Sequence, residues 1–411
     1  MFDDIRRILE EIQKVYGHSV PPRNRIDEGG LYLKLVTENQ LGNKLTQAIK
    51  NEPQLDCYGG SMMETGRGAS RIEAQNLAAW LVRRSFIESI DRALQDVADH
   101  LAADGNGALE VLGVYGLKVK SPVPIIDGVH LVPIGSLPSP TVRAFLNPTL
   151  FLHHATPLPG MSGANAALTR TCKVRPKFST GPDQGEIIYE GSSVKLRTLL
   201  MLFGLVEKAA PLPGFATVLA NENVPCGNMF AAGGSSELVE VGMERELEVS
   251  QDHIEVVRKY LPLFEALPEP KQQTLLRAIE RLSLARRRTR IEDQYLDIGI
   301  ALEMLLLRDL TENDPVSLPF RLRGAWLLGS NPEERRDLER VFKSIYSFRS
   351  MAVHEGRLKT RKKGKQPNPS DFLGEAIETG CAVVKRLLEL GDPDLEGLIW
   401  GAPLTSSGIG P

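Results

Sequence analysis

The chain has little cysteine. Only Cys57, Cys172, Cys226 and Cys381 occur in 411 residues, and no two have Cys-x-x-Cys spacing. That argues against a disulfide framework and against a thiolate zinc site, and it fits a reducing compartment. Charge of one sign is missing as well: 49 lysines and arginines stand against 52 aspartates and glutamates, a net charge of −3. A uniformly basic nucleic-acid coat protein is excluded, and only local basic patches remain for such a role. The longest apolar run, Leu199 to Val206, is far short of the ~20 residues a membrane helix needs. The opening Met1-Phe2-Asp3-Asp4-Ile5 lacks the basic-then-apolar order of a signal peptide. These absences predict a soluble cytoplasmic protein with no membrane partner. No group of His, Cys or carboxylates has metal-ligand spacing. His153-His154 would point to opposite faces of a strand. The run Ala231-Ala232-Gly233-Gly234-Ser235-Ser236 has no P-loop lysine after it. No metal and no cofactor are expected.

What is present is ordinary globular composition, 42% hydrophobic and 25% charged, which excludes disorder as the main state. At 411 residues the chain is long enough for two domains or three. Residues 1–245 read as an α+β domain of sensing or regulatory role. Helical patterns run from Ile5 to Val15 and from Arg71 to Leu101. From about Gly105 to Gly234 glycine and proline punctuate short β-type runs such as Leu109–Tyr115, Val129–Ile134 and Phe215–Leu219. Residues 246–400 change texture. Apolar residues step by three and four through Val256–Leu267, Leu275–Leu284, Ile291–Leu305, Leu338–Ala352 and Phe372–Leu390, the pattern of an all-α helical bundle. Residues 401–411 form a small, polar tail expected to fray. Cys381, Trp80 and Trp326 are expected in cores.

The sharpest single element is a helix from Pro332 to about Val353. Asn331 can cap it, Glu334 completes an Asn-x-x-Glu box, and Gly356 stands where a left-handed terminator belongs. Its last turns read Tyr346-Ser347-Phe348-Arg349-Ser350-Met351-Ala352-Val353-His354-Glu355-Gly356. On spacing alone, Arg349 and His354 also read as cations that complement a helix dipole.

Three blocks give the pair a context. They are Leu276-Arg277-Ala278-Ile279 through Ala301-Leu302-Glu303-Met304-Leu305, the short helix Phe320–Leu328, and Ile345–Gly356 with its Arg, four residues, His. In order and spacing they resemble the Apea-like branch of the HEPN superfamily, over about the last third of the chain. The resemblance implies a dimerising α-helical domain that in many members cleaves single-stranded RNA without metal, often as a toxin or in anti-phage defence. Arg349 and His354 carry over as the catalytic pair, and Glu303 matches the family's Ala-Leu-Glu position. An antitoxin or a phage-derived trigger is the further partner such a role implies. Where the family often has Asn, Asp or His after the arginine, this chain has Ser350. The departure keeps open a second function, a non-catalytic RNA- or protein-binding dimerisation module. A third is a scaffold whose function lies in the first domain.

The chemistry stands without the resemblance. RNA cleaves itself when its 2′-hydroxyl loses a proton and attacks the adjacent phosphorus. Histidine titrates near neutrality and can carry that proton. A guanidinium holds the charge that grows on the phosphorane. Residues five apart sit about 140° apart around a straight helix, so convergence of the two side chains points to a homodimer that joins two copies of the helix. Tyr346 and Ser350 are the supporting neighbours. Two basic clusters flank the pair as candidate RNA-binding residues: Arg287 and Arg288 within Arg286–Arg290, and Arg357, Lys359, Arg361, Lys362, Lys363 and Lys365 just after His354.

Overall fold

A computed structural model describes residues 2–17, 35, 40–64, 69–138, 146, 164–175, 177–178, 188–189, 193–227, 246–310, 315–358, 367–391 and 393–399. The fold is α+β; among the described residues strands are concentrated in the first half, and from residue 251 onward the elements are helices. The expected loop Ala231–Ser236, the pair His153-His154 and the tail 401–411 lie outside the described residues.

The chain divides into two compact units. Unit 1 comprises 1–111, 169–193 and 215–236; unit 2 comprises 112–168, 194–214 and 237–411. The helices after residue 250 therefore share their unit with two earlier stretches of chain.

Among the described residues, unit 1 holds the helices α1 (Asp3–Tyr16), α2 (Leu41–Asn51), α3 (Ala74–Ile87) and α4 (Ile90–Ala102). The steps of three and four that announce α1 in sequence are the residues it buries, Ile5, Leu9, Ile12 and Tyr16. Where the sequence reads one helix from Arg71 to Leu101, the structure has a strand and two helices. Arg71 and Ile72 pair with Met62 and Ser61 across β1 (Ser61–Glu64) and β2 (Ala69–Ile72). At Ser89 the chain stops and restarts, because the serine hydroxyl accepts the Arg92 amide at 3.1 Å and caps α4. Both helices contribute to one core, and the 2.8 Å ion pair of Arg84 with buried Asp96 ties α3 to α4, while Arg92 meets the same carboxylate from within α4 at 2.8 Å.

The Gly/Pro-punctuated stretch holds β3 (Asn106–Tyr115), β4 (Leu117–Lys118), β5 (Val123–Ile126), β6 (Val129–Pro133), β7 (Ala166–Arg175), β8 (Lys177–Phe178), β9 (Ile188–Tyr189) and β10 (Leu212–Ala220). The larger sheet runs β10-β3-β7-β6-β5, with β9 beside β7. The apolar run at Leu199 lies in a helix, α5 (Ser193–Phe203), whose Leu196, Leu199, Leu200, Leu202 and Phe203 are fully buried.

In unit 2, β11 (Leu247–Glu248) leads into α6 (Gln251–Glu265), α7 (Glu269–Arg287), α8 (Ile291–Leu306), α9 (Ser317–Leu328), α10 (Pro332–Glu355), α11 (Pro369–Leu390) and the short α12 (Leu395–Ile399). Helix α8 is the centre, packed by α7, α9, α10 and α11. Its Tyr295, Ile298, Ala301 and Leu302 are wholly buried. Buried Asp297 receives Arg281 and Arg288 of the preceding segment at 2.9 and 3.0 Å. Arg323 of α9, 2% exposed, donates to the carbonyl of Leu306 at the end of α8 and grips Asp309 with both terminal nitrogens. Cys381 is in the core as expected, and so is Trp80. Trp326 is only half-buried. The Arg335 guanidinium carbon lies 3.7 Å above its ring centre, so its face meets a cation at a groove and not apolar neighbours in a core.

Candidate active site

Helix α10 is set by both its ends and its middle. Asn331 accepts the Glu334 amide at 2.9 Å, as the sequence predicts. The Glu334 carboxylate reaches one residue further back than a capping box does, to the Ser330 amide at 2.8 Å. Gly356 ends the helix at φ 63°, in the left-handed region. In the middle, the Phe348 ring packs 4.8 Å from Tyr295 of α8 and 6.2 Å from Phe372 of α11. The Tyr295 hydroxyl donates to the Pro369 carbonyl at 2.7 Å. This lock fixes the rotation of α10 about its axis, and so the directions of the next residue and of His354.

Arg349 turns against α8. A Cβ on Gly299 would stand 2.3 Å from the Arg349 Cγ, so only glycine lets the arginine stem pass. An interior helical glycine costs about 1 kcal/mol relative to alanine, and here it admits a side chain from the neighbouring helix. One turn on, Glu303 accepts Arg349 Nη2 at 2.8 Å; the two side chains are 23% and 26% exposed. Arg349 Nε is buried without an acceptor among the described residues. Burial pushes the Glu303 carboxyl above its ordinary range, and the adjacent guanidinium opposes that shift without cancelling it.

The sign of this shift gives a test. A carboxyl with a raised folded-state pKa binds protons more tightly when folded. Its contribution to stability is therefore complete below its unfolded value, about 4.3, and is lost as pH rises through the folded value. The stability of wild type relative to Glu303→Gln is expected to fall as pH rises from about 4 towards neutrality. Urea midpoints taken across that range check it, and a difference that stays flat or rises counts against the assignment.

His354 faces away from this pair. It is exposed and lines a groove of about 500 Å³ between α9 and α10, with Arg321, Lys343, Tyr346 and Ser350. The Tyr346 ring packs 5.4 Å from Phe320 of α9, so its hydroxyl edge is held at that groove. A single chain thus brings Glu303 to Arg349, and Tyr346 and Ser350 to His354. It does not bring Arg349 to His354.

The basic clusters separate. Arg287 is 4% exposed and donates to the Ala210 carbonyl at 2.9 Å; Arg288 donates to Asp297. Arg287 is thus buried and Arg288 half-buried, each of these two candidate RNA-binding residues already engaged within unit 2. Their neighbour Arg286 is buried likewise, between the carbonyls of Gly204 and Ala209. Arg357 is exposed just past Gly356, while Lys359, Arg361, Lys362, Lys363 and Lys365 lie outside the described residues. Sequence reasoning assigned no role to Gly299, Arg321 or Lys343. The signal for Gly299 was a helix-weakening residue inside a strong helical pattern. For Lys343 it was a position seven residues, two turns, before Ser350.

Among the described residues no group of three His, Cys, Asp or Glu side chains could hold a metal ion, and no helix is long and apolar enough to cross a membrane. Compared with family models, curated proteins and solved structures, the chain matches none.

Proposed function

We propose that the chain is a metal-independent endoribonuclease for single-stranded RNA, whose active site is completed when α10 meets the same helix of a second copy. The supporting observation is the arrangement on α10: an arginine held from below by Glu303 and Gly299, and, five residues on, an exposed histidine in a groove beside Tyr346, Ser350 and two further cations. Histidine moves the proton of the 2′-hydroxyl, and the arginine stabilises the charged phosphorane. Because the two side chains leave one helix on different sides, a second copy must supply the missing partner, and the assembly is an isologous dimer. A toxin or anti-phage role agrees with a nuclease that needs no cofactor.

Mixing tests the shared site. Arg349→Ala and His354→Ala are each expected to be inactive alone. When the two are unfolded together, refolded and shown to form mixed dimers, one site in each mixed dimer regains both groups, and cleavage of a labelled RNA returns. Mixed dimers as inactive as the parents would end the shared-site reading, as would a strictly monomeric enzyme at micromolar concentration.

A second reading, a binding module without catalysis, is favoured by one specific observation: Arg349 is already engaged by Glu303 within its own chain. Strand binding with no turnover by wild type would select it.

A further inference from the structure

A second groove of about 500 Å³ lies further up the same seam, between α9 and the first half of α10. Trp326, Arg335, Arg336 and Arg340 are in its wall. Its one acid, Glu339, is already paired at 2.7 Å with Arg321, a residue of the His354 groove. That ion pair therefore joins the two grooves.

The helix itself marks the line between them. Arg336, Arg340, Lys343, Ser347, Ser350 and His354 follow one another at spacings of four, three, four, three and four. That period keeps them on a single stripe with no acid among them; Glu355 stands beside its end, in the wall of the His354 groove. All six are exposed or half-buried. The stripe spans 18 residues at 1.5 Å each, about 27 Å. Arg336 has no carboxylate partner among the described residues. Arg340 meets Asp337 at 2.7 Å, but both side chains are 73% exposed, so water screens the pair and Arg340 can turn to another anion. At the far end the Arg335 guanidinium lies over the Trp326 ring, its carbon 3.7 Å from the ring centre, and its Nε donates to the Gly329 carbonyl at 3.0 Å. A guanidinium plane so fixed is a surface on which a nucleobase stacks.

We infer that the α9–α10 seam is the track of a single RNA strand, running from the Trp326–Arg335 platform past Arg336, Arg340 and Lys343 to His354. The inference rests on the nuclease reading for its choice of polyanion. The cations follow a backbone, the platform takes a base without regard to sequence, and the strand that fits is at the short end of the ~4–16 nucleotides such grooves accept. The two serines leave room for the strand as it nears the histidine.

The experiment uses the full-length protein and a fluorescein-labelled 12-nucleotide strand of 2′-O-methyl RNA. That strand cannot be cut through its 2′-oxygen, so binding is read apart from cleavage. Arg336→Gln/Arg340→Gln is expected to weaken binding about tenfold or more, and to lower the slope of log K against log salt by about 1.4, two phosphate contacts at ~0.7 each. Trp326→Ala is expected to weaken binding of all sequences alike, by about tenfold. Thermal unfolding of each variant confirms that it is folded. An unchanged affinity and salt slope in the double variant overturns the track. So does a double variant that binds RNA as before and fails instead to dimerise, which would make the seam a contact between copies. A wild type that binds no strand overturns it too. The nuclease reading falls separately: a wild type that binds this strand with the expected slope but leaves ordinary RNA intact keeps the track and loses the enzyme.

Discussion

In EDTA, His354→Ala is expected to cut single-stranded RNA at least ~10²-fold more slowly than wild type, and Arg349→Ala to lose as much. That is the usual scale for a positioned proton carrier or a charge stabiliser. Products should end in 2′,3′-cyclic phosphate, because the attacking oxygen belongs to the substrate. Gly299→Ala is the more telling variant. It leaves both reactive groups in the sequence and adds one methyl where the Arg349 stem now lies, 2.3 Å from the new carbon. The stem must move, the 2.8 Å link to Glu303 breaks, and cleavage should fall with it. A misplacement of about 1 Å can cost ~10²-fold. Full activity in His354→Ala would remove the site. Full activity in Gly299→Ala would leave the site and remove the role given to the Glu303 anchor.

The largest effect on stability is expected from Arg286→Ala. The Arg286 side chain is 6% exposed and donates to the carbonyls of Gly204 and Ala209 at 2.7 and 2.6 Å. It also meets Glu378 at 2.7 Å and the Cys381 sulfur at 3.2 Å. Truncation leaves two buried carbonyls without donors and a carboxylate without its cation, a cost of about 3–5 kcal/mol. A domain holds only about 5–15 kcal/mol in all, so the variant should unfold at markedly lower urea or fail to accumulate. Arg277, exposed on the same helix, is the control. Its change to alanine should stay within about 0.5 kcal/mol. Equal midpoints for the two variants would show that the buried fork does not hold unit 2 together.

Much of unit 2 was legible because its information is local. Helix α10 and its ends follow from Asn331, Pro332 and Gly356, and α8 follows from apolar steps of three and four. The class, α+β with strands first and helices after, follows from punctuation and period alone. What was hidden depends on distant chain. The four arginines and one threonine of Arg286–Arg290 look like a solvated patch, because nothing nearby in sequence shows that carbonyls about 80 residues earlier will receive the first two. Trp326 looks like core for the same reason, since Arg335 lies in another helix. The Arg71–Leu101 pattern hid its break because Ser89 is an ordinary residue until its hydroxyl turns to the Arg92 amide. At the site, Arg349 and His354 were legible as residue types at a spacing. That they leave the helix on different sides of a single chain was legible too, from 100° per residue. The glycine that admits one of them was not.

The buried fork also sets an order of events in time. The Gly204 carbonyl and its donor Arg286 are 82 positions apart in the chain. At a synthesis rate of roughly 5–20 residues per second, the carbonyls wait about 4–16 s for their arginines to be made. During that interval the newly made apolar run Leu199–Val206 has no arginine fork to close against. It is the stretch of the nascent chain on which a chaperone has most to hold. Arg349 and His354 are made later still, after every arginine of the fork.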